Sequence, residues 1–148
     1  MKVFCLDTSA LVESWCRLYP NDIPLFGIIW NQLDVWGKEG RIIAAEEVLV
    51  ELEKNKDDLY RWAKGRRHIF QVLTTEVQEA VTDILKRHPR LVDTKRNRSI
   101  ADPFVIAQAQ ISKAIVVSEE NRSTGKSPKI PDVCDVMGIH CIRMIDLI

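Results

Sequence analysis

Short apolar runs without polar interruption, separated by long stretches patterned as helix, leave this chain few folds to choose from. VFCL at residues 3–6 is β-branched and aromatic and suits a strand buried on both faces. RIIAA at 41–45, IVVS at 115–118 and the terminal IHCIRMIDLI are further strand candidates. Between them lie helical patterns. Residues 9–19 form one, stopped before Pro20, and residues 21–40 another, opened by Asn21 or Asp22 with Phe26, Ile29, Trp30, Leu33 and Trp36 at helical spacing. Residues 46–67 read as one helical stretch, with Val48, Leu49 and Leu52 continued by Leu59 and Trp62. Residues 74–89 carry a stripe of Val77, Val81, Ile84 and Leu85; 101–114 and 130–138 complete the set. Strands alternating with helices predict one α/β domain over 1–148 with a mainly parallel sheet, and the helix-rich stretch 46–88 as an insertion on one side.

The formal net charge is +0, so no global field draws the chain to nucleic acid or membrane, and any polyanion must be held by local basic patches. No apolar stretch reaches the roughly 18 residues of a membrane span, which predicts a cytoplasmic protein. Cys5, Cys16, Cys134 and Cys141 form no C-x-x-C pair and read as buried reduced thiols, and the histidines show no metal-ligand spacing.

Four acids stand out by placement. Asp7 directly follows the first strand, and Glu120, with Glu119 beside it, follows IVVS; the carboxyl ends of strands are where open α/β sheets bind ligands. Asp102 opens a helix, and helix starts face that same end. Glu51 lies in EVLVEL, at the edge of a buried stripe. Taken singly, each has a plain structural explanation: Asp102 in ADPF is a helix N-cap followed by proline at N1, Asp7 caps the helix after it, and the glutamates are solvated. Taken together they are costly, because two unit charges about 5 Å apart at an effective dielectric of about 20 repel by about 3 kcal/mol. A divalent cation offsets that repulsion, and carboxylate oxygens are what Mg²⁺ or Mn²⁺ prefers. Such ions promote phosphodiester hydrolysis.

The ordered set VFCLDTSALV, EVLVEL, ADPFVIAQAQ and IVVSEE resembles the PIN domain, the family that includes VapC-type toxins of toxin–antitoxin pairs. The resemblance implies a three-layer α/β/α fold with a central parallel sheet and metal-dependent endoribonuclease activity. It assigns the catalytic acids to Asp7, Glu51, Asp102 and Glu120, with Asp7, Asp102 and Glu120 on the metal. Ser9 and Ser118 stand where the family often has supporting hydroxyls, and Thr8 or Ser9 is expected to orient Asp7. The fourth acid is glutamate here where the family usually has aspartate. An antitoxin protein and a homodimer are the partners the resemblance implies.

Rival phosphotransfer folds fit less well. A haloacid-dehalogenase-like phosphatase needs a second aspartate where Ser9 stands, and a receiver domain needs an acidic pair where LDTS offers one carboxylate. A catalytically inactive PIN-like module that binds RNA or protein remains the alternative, although such a scaffold has no use for four repelling acids. Candidate RNA contacts are residues 61–68 and 86–98, the latter with Lys95, Arg96 and Arg98. Three of the four tryptophans fall within residues 22–67, which predicts a dimer or partner surface there.

Overall fold

The computed structural model describes residues 1–93 and 100–148. Five strands form one sheet: β1 (Phe4–Leu6), β2 (Ile42–Ala45), β3 (Phe70–Gln71), β4 (Ile115–Val117) and β5 (Cys141–Ile142). Their spatial order is β3-β2-β1-β4-β5 and every pairing is parallel. Cys5 and Leu6 of β1 and all four residues of β2 are buried, as strands covered on both faces require.

Eight α-helices accompany the strands among the described residues: α1 (Thr8–Glu13), α2 (Pro24–Lys38), α3 (Glu46–Glu53), α4 (Asp58–Lys64), α5 (Thr75–Arg87), α6 (Asp102–Ser112), α7 (Ile130–Met137) and α8 (Met144–Leu147). The chain winds outward from β1 through β2 to β3, then returns across the sheet to β4 and β5. Right-handed crossovers put α1–α4 on one face and α5–α7 on the other. α6 packs across β1, β2 and β4, against α5 and α7. The fold is therefore a three-layer α/β/α domain, with its core on both sides of β1 and β2. No helix among the described residues is long and apolar enough to cross a membrane.

Several local expectations need correction. The stretch 46–88 is not an insertion of helices, because it contains β3, a strand of two residues that pairs with Ala44 and Ala45. The predicted single helix over 46–67 is two: Lys56 adopts φ 46°, and Asp57 starts α4 by accepting the Tyr60 N–H. The segment after α1 widens into a π-helix, Ser14–Leu18, closed by Tyr19 N–H donating to Ser14 O at 2.7 Å. α2 starts at Pro24 behind Ile23, without a side-chain cap from Asn21 or Asp22. The terminal strand candidate is β5 followed by α8.

The tryptophans are packed within the chain. Trp15, Trp30 and Trp62 stack edge to face, with centroids 4.8 Å and 5.1 Å apart across Trp15–Trp30 and Trp30–Trp62. Arg66 lies over Trp62 and pairs with Asp34, so this cation of the 61–68 patch ties α4 to α2. What α2 leaves exposed is Leu25, Ile28 and Val35.

Gly37 sits where α2 meets the 3₁₀ turn Arg67–Ile69: an added Cβ would stand 2.7 Å from Ile69 Cγ1 and 2.9 Å from its Cδ1. Ile69 is buried, so it has little room to yield. Alanine gains up to about 1 kcal/mol in helix propensity, while overpacking costs about 1–3 kcal/mol. Gly37→Ala is expected to destabilise by about 1 kcal/mol, read as a lower urea midpoint with unchanged slope.

Candidate functional site

The order β3-β2-β1-β4-β5 reverses direction between β1 and β4, and the crevice beyond the carboxyl ends of such a pair is where doubly wound sheets bind ligands. Asp7 leaves β1 at that crevice and Ser118 leaves β4. The Asp7 N–H still donates to Val117 O at 3.0 Å, so the two exits are held side by side.

Asp7 is 1% exposed and is held from three directions. The Ala10 N–H donates to Oδ1 at 2.7 Å, the Ser118 hydroxyl to Oδ2 at 2.7 Å, and the Ser9 hydroxyl lies 2.9 Å from both oxygens. Each serine in turn accepts a backbone N–H from the loop after β4, Ser9 from Glu119 and Ser118 from Glu120, both at 3.1 Å. With those amides donating inward, both hydroxyl protons are directed onto Asp7. A carboxylate has about four acceptor sites, and these four contacts engage both of its oxygens.

Thr8 does not orient Asp7. Its hydroxyl donates to Glu51 Oε1 at 2.7 Å and so fixes the half-buried acid of α3. Successive residues of the first turn of α1 point different ways, which sends Thr8 to α3 and Ser9 back to Asp7.

The two glutamates after β4 separate cleanly. Glu119 Oε2 accepts the Met144 N–H at 2.8 Å, and Oε1 lies 3.6 Å from Arg143, so this acid secures the start of α8. Glu120 faces the crevice. Its Oε2 accepts the Ile130 N–H at 3.1 Å, and its charge acts on both Asp7 and Glu51. Burial pushes the Asp7 carboxyl up to about 7 against the lowering pull of its hydrogen bonds, and repulsion from Glu120 adds to the rise. Glu120 is also raised, first by burial and then by Glu51 and Asp132, with the Ile130 N–H and Lys129 opposing. Asp7, Glu120 and Glu51 thus form one electrostatically connected group.

Asp102 is 7% exposed and is the first residue of α6. It is not the N-cap: Ala101 holds that position in helical backbone geometry, and Pro103 follows at N2. Because α6 turns directly into β4 through left-handed Lys113, it runs antiparallel to that strand. Its amino end therefore lies at the same sheet edge as Asp7. Lys95, Arg96 and Arg98 fall outside the described residues.

One family, described as a domain of unknown function (DUF4411), matches residues 4–148. The chain belongs to the DUF4411 family. No curated protein matches it. The DUF4411 match begins at β1 and runs through α8, so it takes in every acid and hydroxyl of the crevice.

This DUF4411 site also contains groups not foreseen from the sequence. A pocket of about 320 Å³ opens beside Ser118 and Glu120 and is lined by Arg122, Cys141 and Arg143. Arg122 is held bidentate by Asp135 at 2.7 and 3.0 Å, and Arg143 is bonded to Asn121. Cys134 of α7 is buried and Cys141 of β5 half-buried, whereas Cys16 is exposed rather than buried. These residues lie in loops and at element ends, where only an isolated basic residue in a polar run could have marked them.

The donors that face the crevice are all oxygen, the type that a hard cation takes. Among the described residues no three His, Cys, Asp or Glu side chains form a cage around one point. Mg²⁺ is commonly held by one or two carboxylates with waters completing its shell, and Asp7 and Glu120 are two acids close enough for the charge of one to act on the other.

Proposed function

We propose that this protein is a metal-dependent endoribonuclease that hydrolyses RNA phosphodiester bonds at the crevice between β1 and β4. The observation that carries this reading is the wholly buried Asp7 carboxylate. It is oriented by Ser9 and Ser118, beside a second acid whose charge it feels. Burying a carboxylate beside a second acid costs stability, and arriving positive charge would offset that cost. The ordered resemblance of its segments to the PIN domain supports the same reading.

Asp7 and Glu120 would hold Mg²⁺ or Mn²⁺, with Asp102 at the same edge. A bound divalent ion supplies Lewis-acid polarisation of the phosphoryl group and acidifies water at neutral pH. Ser9 and Ser118 keep the Asp7 carboxylate in one orientation. Glu120 Oε1, which has no hydrogen-bond donor among the described residues, would be the atom to take a proton from the attacking water. Glu51, steadied by Thr8, raises the basicity of Glu120 by repulsion. A toxin role with an antitoxin partner belongs to the same reading; the exposed Leu25, Ile28 and Val35 of α2 support a partner protein or second copy there.

The test is cleavage of a fluorescently labelled RNA by pure protein with Mg²⁺, with Mn²⁺ and with EDTA. Cleavage confined to the metal-containing reactions is expected. Cleavage that persists in EDTA, or none with either metal, overturns the reading.

A further inference from the structure

Three open pockets run together along one flank of the crevice. The pocket of about 320 Å³ beside Glu120 shares Asn121 and Arg122 with one of about 520 Å³ over the loop before α7. That second pocket shares Lys126 with a third, of about 390 Å³, whose other wall is the end of α5 and the residues after it. Adjoining at these shared residues, the three pockets make a trough that reaches from Glu120 to Arg87 and Arg90. Its cations succeed one another along its length: Arg143 and Arg122, then Lys129 and Lys126, then Arg90 and Arg87.

These cations are not equally occupied. Arg122 is paired with Asp135, Arg143 with Glu119, and Arg87 with Asp83 at 3.3 Å. Lys126, Lys129 and Arg90 have no carboxylate within ion-pairing distance among the described residues, and all three are exposed. In a chain of formal net charge +0, a row of cations leading from an acidic crevice, three of them outside any ion pair among the described residues, is local patterning. On the β2 side of β1, α3 contributes the acid Glu51 to the crevice. Cations on one side alone match one row of phosphates, whereas a duplex presents two.

We propose that this trough holds the backbone of a single-stranded RNA on one side of the scissile phosphate, with Lys126 and Arg90 as its principal anchors beyond the crevice. The direction of the strand, from Glu120 outward, rests on the hydrolytic reading above; the cation row does not. Bonds to phosphate position a strand without reading its bases, so binding here depends on length and salt and little on sequence.

The experiment measures binding by fluorescence anisotropy in EDTA, using the full chain and the double variant Arg90→Ala/Lys126→Ala. The probes are a single-stranded RNA of about 12 nucleotides, the matching DNA strand, and a dinucleotide. Both positions are solvent-exposed, and matching melting curves establish that the variant folds. The double variant is expected to bind the long RNA about 10-fold or more weakly, with a salt slope reduced by about 0.7 for each phosphate that is no longer neutralised. Its dinucleotide affinity should be unchanged, and the DNA strand should behave as the RNA does if phosphate alone is recognised. Equal affinity and salt slope in the two proteins overturn the proposal, as does an acidic peptide that binds the trough more tightly than RNA. Cleavage with Mn²⁺ keeps the two ideas apart. Length-dependent binding without cutting leaves the trough standing and removes the nuclease; cutting by both proteins with equal binding does the reverse.

Discussion

Asp7→Asn is expected to lower metal-dependent RNA cleavage by on the order of 10³-fold or more while the protein stays folded. The substitution keeps shape and removes charge. The asparagine carbonyl still accepts the Ala10 N–H that Asp7 Oδ1 accepts at 2.7 Å, and asparagine caps helices as well as aspartate does. Ser118 Oγ, 2.7 Å from the other oxygen, accepts the Glu120 N–H and has a second lone pair for the new amide. If Asp7 served only to start α1, the variant would cut as well as the parent. If it holds a cation, the loss is nearly complete, because it is the most deeply buried acid among the described residues. The measurement is cleavage rate with Mn²⁺ alongside thermal melting, and equal rates would reduce Asp7 to a cap. Asp102→Asn, at the first residue of α6, is expected to lose activity in the same direction.

The second large effect is on stability against pH. Burial raises the Asp7 carboxyl from 3.8 to about 7, so between those values the folded protein holds a proton that the unfolded chain has released. Folding is therefore favoured by this group at low pH, and its contribution turns increasingly unfavourable as pH climbs through the window. Above about pH 7 the full cost applies, on the order of 4 kcal/mol. Glu120 shifts in the same direction and reinforces the trend. In EDTA the melting temperature is expected to fall from pH 5 to pH 8, and Asp7→Asn should flatten that fall. A divalent ion favours the ionised acids and competes with their protons. At a concentration about 100 times its dissociation constant it adds about 2.7 kcal/mol, or about 5–10 °C at pH 8. A pH-independent melt that ignores Mn²⁺ would contradict both the burial cost and the cation site.

The parts of the fold readable in the sequence are those with a single cause. The run before Asp7 is a buried strand because nothing in it is polar, and Asp7 stands at its end for the same reason. IVVS marks β4 and places Ser118 and Glu120 at its exit. β3 escapes notice because two residues, Phe70 and Gln71, carry no period, and their pairing depends on β2 being already in place. The break between α3 and α4 is hidden because Leu59 and Trp62 keep the apolar phase of Leu52, while the decisive cap, Asp57, lies inside the charged run KNKDD. ADPF reads as a cap followed by N1, yet the helical backbone of Ala101 moves the start of α6 one residue earlier. Within the site, residue identity names Asp7, Ser9 and Ser118, but the partner of Thr8 requires the crossing of α1 over α3. The trough cations come from segments more than thirty residues apart, Arg90 and Lys126, and no spacing rule links them.

The central strand precedes both of its neighbours in the chain, and this sets when the site can exist. β1 pairs on one side with β2 and on the other with β4, whose register joins Leu6 to Val117. The hydrogen bond from Ser118 to Asp7 closes over 111 positions of sequence. Pairings of such separation incur their loop-closure entropy before they return any energy, so they form late. A ribosome-bound chain displaying β1 through β3 carries Asp7 and Glu51 but neither Ser118 nor Glu120, and its first carboxylate is unoriented. Such a nascent chain lacks the oriented carboxylate. On the nuclease reading proposed above, RNA would be cut only after the second half of the sheet has joined the first.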